Sequence, residues 1–593
     1  MPFLAEDAAM ADRAGGDDRP RALRPTGPSQ FIVQKEAALR TRTRFRPTLS
    51  RDHPPAPGAR LGFGRRIVLV SVSALAFLTL SPPGSAQQEA PASPYLPLGH
   101  WAYPIVDSWI ARGWAPHLSP VVRPLRRFDV ARALSSVDLE NVGPGEAGWF
   151  PALRREFAME LALIQDEIEP RDVLKGRVTV GGGLHSQSHP DLLRPEVEGT
   201  FSRSRLLERS ALEVDGAMGN VVGGVRVVRD GLLRYEPRFP DGRAIYGEGD
   251  AFLTQLDLRM EEAYVEIQGR RARISFGRQY RNWGAADTPG LLRSGEAYSF
   301  DELGYRLGSD RIFLTGTFTS LRDLPGDTAR YHAAHRLEVR LRDNLTIGVS
   351  EASLHGGPGG RLDLRLISPV AIWELTRDGE RDEQSNLLAE LDIWWRPSSS
   401  VALFGAILAD SPPGVGACCE AGGTLGLELP ALLPDFGLRA QVTAIESLMY
   451  RTSRNWEEYS YQGIGLGWDQ ADVVLASVEA TWRPRGGVLL RPRIDVQVRG
   501  EEAAFQGRLR PSRGGMEDFP NLMSGQREST LRPSLSGLWR HGQAWIVQAD
   551  WNVGVNRIRH FAHQAGDHRT EPVGWFRISV ETPRLGPRSS STP

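Results

Sequence analysis

On either side of Asp343-Asn344 the chain alternates strictly between apolar and polar residues. In His335 to Ser350, HRLEVRLRDNLTIGVS, Leu337, Val339 and Leu341 alternate with Arg336, Glu338, Arg340 and Arg342. Leu345, Ile347 and Val349 then alternate with Thr346, Gly348 and Ser350. Period two on both arms predicts an antiparallel hairpin with one apolar and one charged face. Asp-Asn suits its turn because both residues tolerate left-handed backbone angles. The pattern recurs. Ala263, Val265 and Ile267 alternate with Glu262, Tyr264, Glu266 and Gln268; after Gly269-Arg270, Ala272, Ile274 and Phe276 alternate with Arg271, Arg273 and Ser275. Leu387 to Trp395, Ile494 to Val498 and Trp545 to Val553 do the same against Glu390 and Asp392, Arg493 and Asp495, and Asp550 and Asn552. Strands are expected from about Arg177 to the last one, Val573 to Val580, a stretch with room for on the order of 16 to 20 of them.

Alternation alone does not say which face meets oil, since soluble sandwiches and propellers repeat it too. Three features point to a membrane barrel. Short turns at Asp343 and Arg396-Pro397 contrast with long polar stretches at Arg322–Ala329, Thr376–Gln384, Ser411–Gly423 and Gln506–Arg527, and short turns on one rim with long loops on the other is the outer-membrane arrangement. Arg65-Arg66, an uncharged run from Ile67 to Leu80 and Ser81-Pro-Pro-Gly-Ser-Ala86 have the three regions of a secretory signal, with cleavage expected after Ala86. That run is too short to span a bilayer as a helix, which takes about 20 residues, and no later run is longer. Trp395-Arg396-Pro397, Trp482-Arg483-Pro484 and Trp539-Arg540-His541-Gly542 end three strands alike, with an aromatic where a membrane–water boundary favours one. The expected fold is a mainly β, outer-membrane antiparallel barrel behind a small helical region. The expected divisions are a leader or unused upstream start (1–66), signal (67–86), periplasmic helical region (87–170), barrel (171–586) and polar tail (587–593).

Composition removes some functions. Of 71 Lys+Arg and 72 Asp+Glu, residues 1–66 hold 13 and 7, so the remainder is acidic, 58 against 65. An acidic mature chain is a poor nucleic-acid binder. Cys418 and Cys419 are the only cysteines and are adjacent. A disulfide framework and a four-ligand zinc site are excluded by count, and the pair reads as two small loop residues. Hydrolase, metalloprotease, phosphate-loop and calcium-loop motifs are absent. His332, His335 and His355 share no helical or strand face, and neither a metal nor another cofactor is expected.

Ahead of the strands, Trp101, Ile105 and Trp109 form a helical stripe closed by Gly113, and Val130, Leu134 and Val137 form a second. Pro151 to Glu169 predicts one amphipathic helix through Leu153, Phe157, Leu161, Ile164 and Ile168, ending before Pro170. The segment GHWAYPIVDSWIARGW…RPLRRFDVARAL resembles a single S-layer-homology repeat, with Arg126 and Phe128 departing from its signature. The resemblance implies contact of Trp101, Arg127 and Asp129 with peptidoglycan or another wall polymer. The same residues also fit a plain two-helix cap with core tryptophans.

One stretch is richer in chemistry than strand formation needs. Arg278, Gln279, Tyr280, Arg281, Asn282 and Trp283 follow the strand ending at Phe276. Aromatic faces stack on sugar rings while amides and guanidiniums bond hydroxyls and carboxylates, which suits a polysaccharide, above all an acidic one. A strand-end girdle with a turn would look the same. FGRQYRNWGAADTPGLLRSGEAYSFDEL, HRLEVRLRDNLTIGVSEASLHGG, DLRLISPVAIWEL and SNLLAELDIWWRPSSSVALFGAILAD, in that order over Glu261 to Asp410, resemble the capsule assembly (Wzi) family of outer-membrane proteins. Ala285-Ala286 stand where the family continues into Pro-Gly. The resemblance implies a barrel of about 18 strands that attaches capsular or other surface polysaccharide without catalysis; Glu351, just beyond the hairpin and expected at the strand's end, joins the candidate contacts. An S-layer-like repeat is foreign to that family and is similar to the N-terminus of carbohydrate porins. A sugar-selective or general porin anchored to the wall therefore stays open as a second function; a hydrolase in the barrel wall has no motif to support it.

Overall fold

The computed structural model describes residues 91–165, 173–185, 205–231, 258–321, 328–368, 385–410, 420–452, 454, 456–462, 464–501, 522–543 and 545–582. These belong to one unit, Val68–Pro593. The leader, the signal, Cys418-Cys419 and the C-terminal tail lie outside them. Eighteen antiparallel strands, from Val173–His185 to His568–Glu581, each pair with their neighbours in the chain. The first closes on the last from Thr179 opposite Glu581 to His185 opposite Trp575. Closure leaves no edge, so each ladder group finds its partner inside the wall, as a hydrocarbon surround requires. Among the described residues no helix is long and apolar enough to cross a membrane.

Alternation decides the two faces. Leu337, Leu341 and Val349 are 42%, 53% and 54% exposed, while Arg336 and Glu338 on the same hairpin are fully buried. The apolar set therefore faces outward and the charged set fills the lumen. The hairpin is longer than its pattern, Thr328–Arg342 and Leu345–Pro358. Ala333, Ala334, Ala352 and Gly356 carry no polarity contrast, so the signal fades before the ladder does. Its lumen charges are paired: Arg336 reaches the two oxygens of Asp392 at 2.5 and 3.0 Å and Glu338 at 3.2 Å.

The short-turn rim explains the Trp-Arg repeats. Trp395, Trp482 and Trp539 point outward at this rim, where an amphipathic ring gains most at the lipid boundary. Arg396-Pro397 is not the turn: the strand Ser385–Ser398 runs on through a bulge, and Ser399-Ser400 makes the reversal. A proline is tolerated there because the ladder is already interrupted. The paired arginines point inward. The Arg396 guanidinium lies against Gly113, where any side chain would collide with it. Arg483 donates to the Pro104 carbonyl at 3.1 Å, and Arg540 lies 4.8 Å over the Trp101 ring.

What they touch is the N-terminal helical unit, which sits inside this end of the barrel as a plug. Its elements are α1 (Tyr103–Arg112), α2 (Arg127–Ser136), α3 (Pro144–Ala147), α4 (Phe150–Glu156) and α5 (Ala158–Ile164). Helix α1 stops at Gly113, whose φ of 81° is left-handed and whose N–H returns to Ile110. The stripe Trp101, Ile105 and Trp109 is buried, with the Trp109 indole donating to Glu146 at 2.8 Å. The single helix expected from Pro151 is two: Phe157 leaves helical angles between α4 and α5, and its ring is buried 4.8 Å beneath the Arg127 guanidinium. That packing outweighs the continuous amphipathic stripe; residues 166–170 of the expected helix lie outside the described residues.

Plug and wall are joined by polar bonds around the circumference. Ser93 bonds Gln268, Tyr95 bonds Glu266, Ser119 bonds Glu338 and Arg112 bonds the Pro430 carbonyl. The densest knot is ionic. Arg127 reaches Glu156 and Glu160 at 2.9 and 3.0 Å, Lys175 of the first strand reaches Glu160 at 2.7 Å, and Arg177 pairs with Glu156. Removing one member of such a buried set leaves charges uncompensated, at about 3–5 kcal/mol. The Glu156→Ala variant is expected to keep its heat-modifiable barrel on gels while α1 and α4 become accessible to protease. A plug as resistant as wild type would show that the ion pairs do not hold it.

Candidate functional site

The opposite end of the lumen is filled by two connections that fold inward, residues 279–300 and the described residues of 446–472. Gly277 takes φ 121°, which glycine allows, and a side chain there would also strike the Ala263 carbonyl; the chain leaves the wall just beyond it. Asn282 pins the first connection by donating to the Thr288 carbonyl at 2.9 Å and accepting from the Gly290 N–H at 2.8 Å. The second connection clamps it, with Tyr450 and Tyr459 donating to the Leu291 and Leu292 carbonyls at 2.7 and 2.8 Å. Wall residues hold both: Glu390 accepts from the Leu292 N–H, and Arg330 donates to the Glu458 and Ser460 carbonyls. Trp283 pairs with Val122, so this layer meets the plug.

Between the layers, against the first, last and neighbouring strands, lies a cavity of about 860 Å³, within the usual size of a ligand pocket, about 300–1,000 Å³. The plug side contributes Leu98, His100 and Trp101; the inward connections contribute Tyr280, Tyr298 and Trp468; the wall adds Trp575. Nine arginines line it, and each has a carboxylate within ion-pair distance. Glu261 alone faces Arg209, Arg226 and Arg259. It does so through a bulge between Arg226 and Val227 that sets Glu261 and Glu262 both toward the lumen. On the facing wall Asp495 accepts from Arg493 at 2.7 Å and Arg532 at 2.6 Å.

The residues expected to act together are dispersed. Arg278 is on the outward face of its strand, paired with Asp301 at 2.7 Å. Gln279 is buried, Arg281 bonds Glu302, Asn282 holds the turn and Trp283 is core. Tyr280 alone of the six lines the cavity. Glu351 is not at a strand's end; it sits mid-strand on the outward face opposite His335, whose Nδ1 is 3.2 Å away. Trp101 reaches the cavity, whereas Arg127 has no exposed surface and is spent on Glu156 and Glu160. Burial thus leaves Arg127 no access to a wall polymer. Asp129 faces Arg126 at 3.7 Å. Reading the sequence for a contiguous motif missed Arg209, Arg226, Arg259, Tyr298, Trp468 and Trp575. Inward parity was the available signal for the wall residues; the two inward connections have no such period.

Electrostatics on the plug side are pH-sensitive. Burial pushes the His100 pKa down from 6.5 to about 4, opposed by its contact with Glu156. Burial alone would raise Glu160, but Arg127 and Lys175 hold it at about 2, and Arg177 and Arg127 hold Glu156 well below the ordinary carboxylate value. Below pH 6.5 the unfolded chain gains a proton at His100 that the folded plug refuses until about pH 4. Folding therefore weakens across that window by roughly 3 kcal/mol. The Glu156 and Glu160 contribution is complete above pH 4.5 and drains as pH falls toward 2. The urea midpoint followed by tryptophan fluorescence is expected to fall between pH 7.5 and 4.5, and to fall less in His100→Asn. Equal slopes in the two proteins would remove His100 from the account.

The sequence profile of the family described as capsule assembly protein Wzi matches residues 234–467. No curated protein matches the chain. Among solved structures it is similar to Wzi of Escherichia coli, described as a carbohydrate-binding β-barrel involved in group 1 capsule assembly. The identity is 14%, the TM-score 0.56, and the match covers 82% of this chain and 99% of that one. A BenF-like porin from Pseudomonas fluorescens Pf-5 matches at 10% identity over 70% of this chain and 99% of its own, and OpdQ of Pseudomonas aeruginosa at 7% over 70% and 98%. Their TM-scores, 0.39 and 0.36, add nothing to the fold. The profile spans the first inward connection, most of the second and the wall between them, so this part of the chain is similar in sequence to the capsule assembly Wzi family, and the 18-strand barrel closed around a plug is similar in fold to the Escherichia coli protein.

Proposed function

We propose that this barrel binds surface polysaccharide and holds it at the outer membrane, and that it does so as a binder without chemistry on the chain it holds. The observation that carries the reading is the lumen cavity, which aromatic side chains and ion-paired guanidiniums and carboxylates line together. Aromatic rings cover the apolar faces of sugar rings, and charged groups already held by partners offer fixed donors and acceptors to hydroxyls. The family match and the carbohydrate binding of the Escherichia coli protein support the same substrate class.

In this reading the short-turn rim and its plug face the periplasm and the long connections face outward. The N-terminal segment then serves as a closure for the lumen, with peptidoglycan contact limited to residues at its surface such as Asp129. The porin alternative needs a water path. Helices from one end and residues 279–300 and 446–472 from the other pack into the lumen and leave the cavity between them.

Deleting the gene is expected to move surface polysaccharide from the cell-bound to the released fraction without lowering the total. An unchanged ratio of bound to released polymer would sink the reading. In planar bilayers the purified protein is expected to give no steady ion conductance; stable open-channel currents would favour the porin.

A further inference from the structure

We propose that the lumen cavity is itself a saccharide site, and that it selects a neutral, hydroxyl-rich segment over a uronate-bearing one, with Glu262 as the group that decides. This rests on the polysaccharide-binding reading and adds where the sugar sits and which sugars fit.

Charge pairing carries the inference. A site for an acidic saccharide keeps cations free to meet carboxylates, as an unneutralised guanidinium fork would. Here the nine arginines lining the cavity all have their carboxylates in place. The imbalance runs the other way. Glu262 lines the cavity at 8% exposure, and among the described residues no hydrogen bond or ion pair engages its carboxylate. Its register partner Arg226 is drawn to Glu261 instead, at 3.5 Å.

A buried carboxylate without partners is costly, and it is an acceptor with two free oxygens. Adjacent hydroxyls of a sugar ring supply the two donors it lacks, in charge-assisted bonds. A uronate in the same place would bring a second negative charge into a site with few mobile counter-ions, which is repulsive. Tyr280 and Trp468 line the same cavity from the inward connections, and Trp575 lines it from the last strand. These rings give a pyranose faces to stack on while its edge meets Glu262. Gln470, Gln548 and Asn552 also line the space and suit hydroxyls of either polarity.

The full-length protein in detergent, titrated with maltoheptaose and with hexagalacturonate while tryptophan fluorescence is followed, tests this. Maltoheptaose is expected to bind wild type more tightly than hexagalacturonate. Glu262→Gln, which keeps shape and removes charge, is expected to weaken maltoheptaose by about tenfold to a hundredfold and to strengthen hexagalacturonate. Glu262→Asp is expected to keep the wild-type order of preference. A merely structural role for Glu262 would move both sugars the same way. Tighter binding of hexagalacturonate by wild type, or a Glu262→Gln protein unchanged toward both, overturns the proposal. If the variant still retains surface polysaccharide on cells, binding lies elsewhere on the barrel and only this site is lost. If wild type binds neither sugar and gene deletion releases no polymer, the polysaccharide reading falls with it.

Discussion

Charges brought into the lumen of this barrel have to be paired, and most of the interior follows from that requirement. A ring of 18 strands encloses more space than its own inward side chains fill, and those side chains are rich in arginine, glutamate and aspartate. Once the plug and the inward connections displace water from that space, each would lose solvation without compensation. The chain meets the need with partners from three sources. Wall residues pair across strands, as Arg336 does with Asp392. The plug supplies Glu156 and Glu160 to Arg177 and Lys175 of the first strand. The inward connections supply Asp287 to Arg491 and Arg293 to Glu302.

The same requirement gives the Trp-Arg repeats two jobs. At the short-turn rim one residue of each pair faces lipid and the next faces the plug, because successive side chains of a strand point to opposite sides. The tryptophans set the height of the barrel in the bilayer, and Arg396, Arg483 and Arg540 bear on Gly113, Pro104 and Trp101. Wall and plug are therefore fastened at the level where the membrane surface lies. The cavity is what is left between this fastening and the inward connections. The arginines of its lining are all ion-paired, while the Glu262 carboxylate has no hydrogen bond or ion pair among the described residues.

Much of the wall was legible in the sequence. The alternation at Leu337 to Val349 assigns each residue to a face, and Glu262, Tyr264 and Glu266 were already grouped on the polar side. Glu261 was not, because its place in the lumen depends on a bulge that the facing strand imposes at Arg226 and Val227. The Arg278 to Trp283 segment shows a different limit. Six suggestive side chains in sequence spread over the outer face, the loop core and the cavity, because the chain turns off the wall beyond Gly277. Composition marked the segment as unusual, and partners elsewhere in the chain, such as Asp301 for Arg278 and Glu302 for Arg281, decided what each residue does.

By itself the sequence determined the two-faced strands, their antiparallel order, the Gly113 stop of the first helix and the aromatic rim, since each depends on neighbours within a few residues. The tertiary structure decided the rest: that the helical unit enters the barrel, that residues 279–300 and 446–472 fold inward, and that the buried Glu262 carboxylate at the cavity is left without a hydrogen bond or ion pair among the described residues. Those outcomes depend on pairings between polar groups hundreds of positions apart, as between Arg483 and the Pro104 carbonyl or Ser119 and Glu338. Periodicity reports which way a side chain points, and only the closed barrel determines what it meets there.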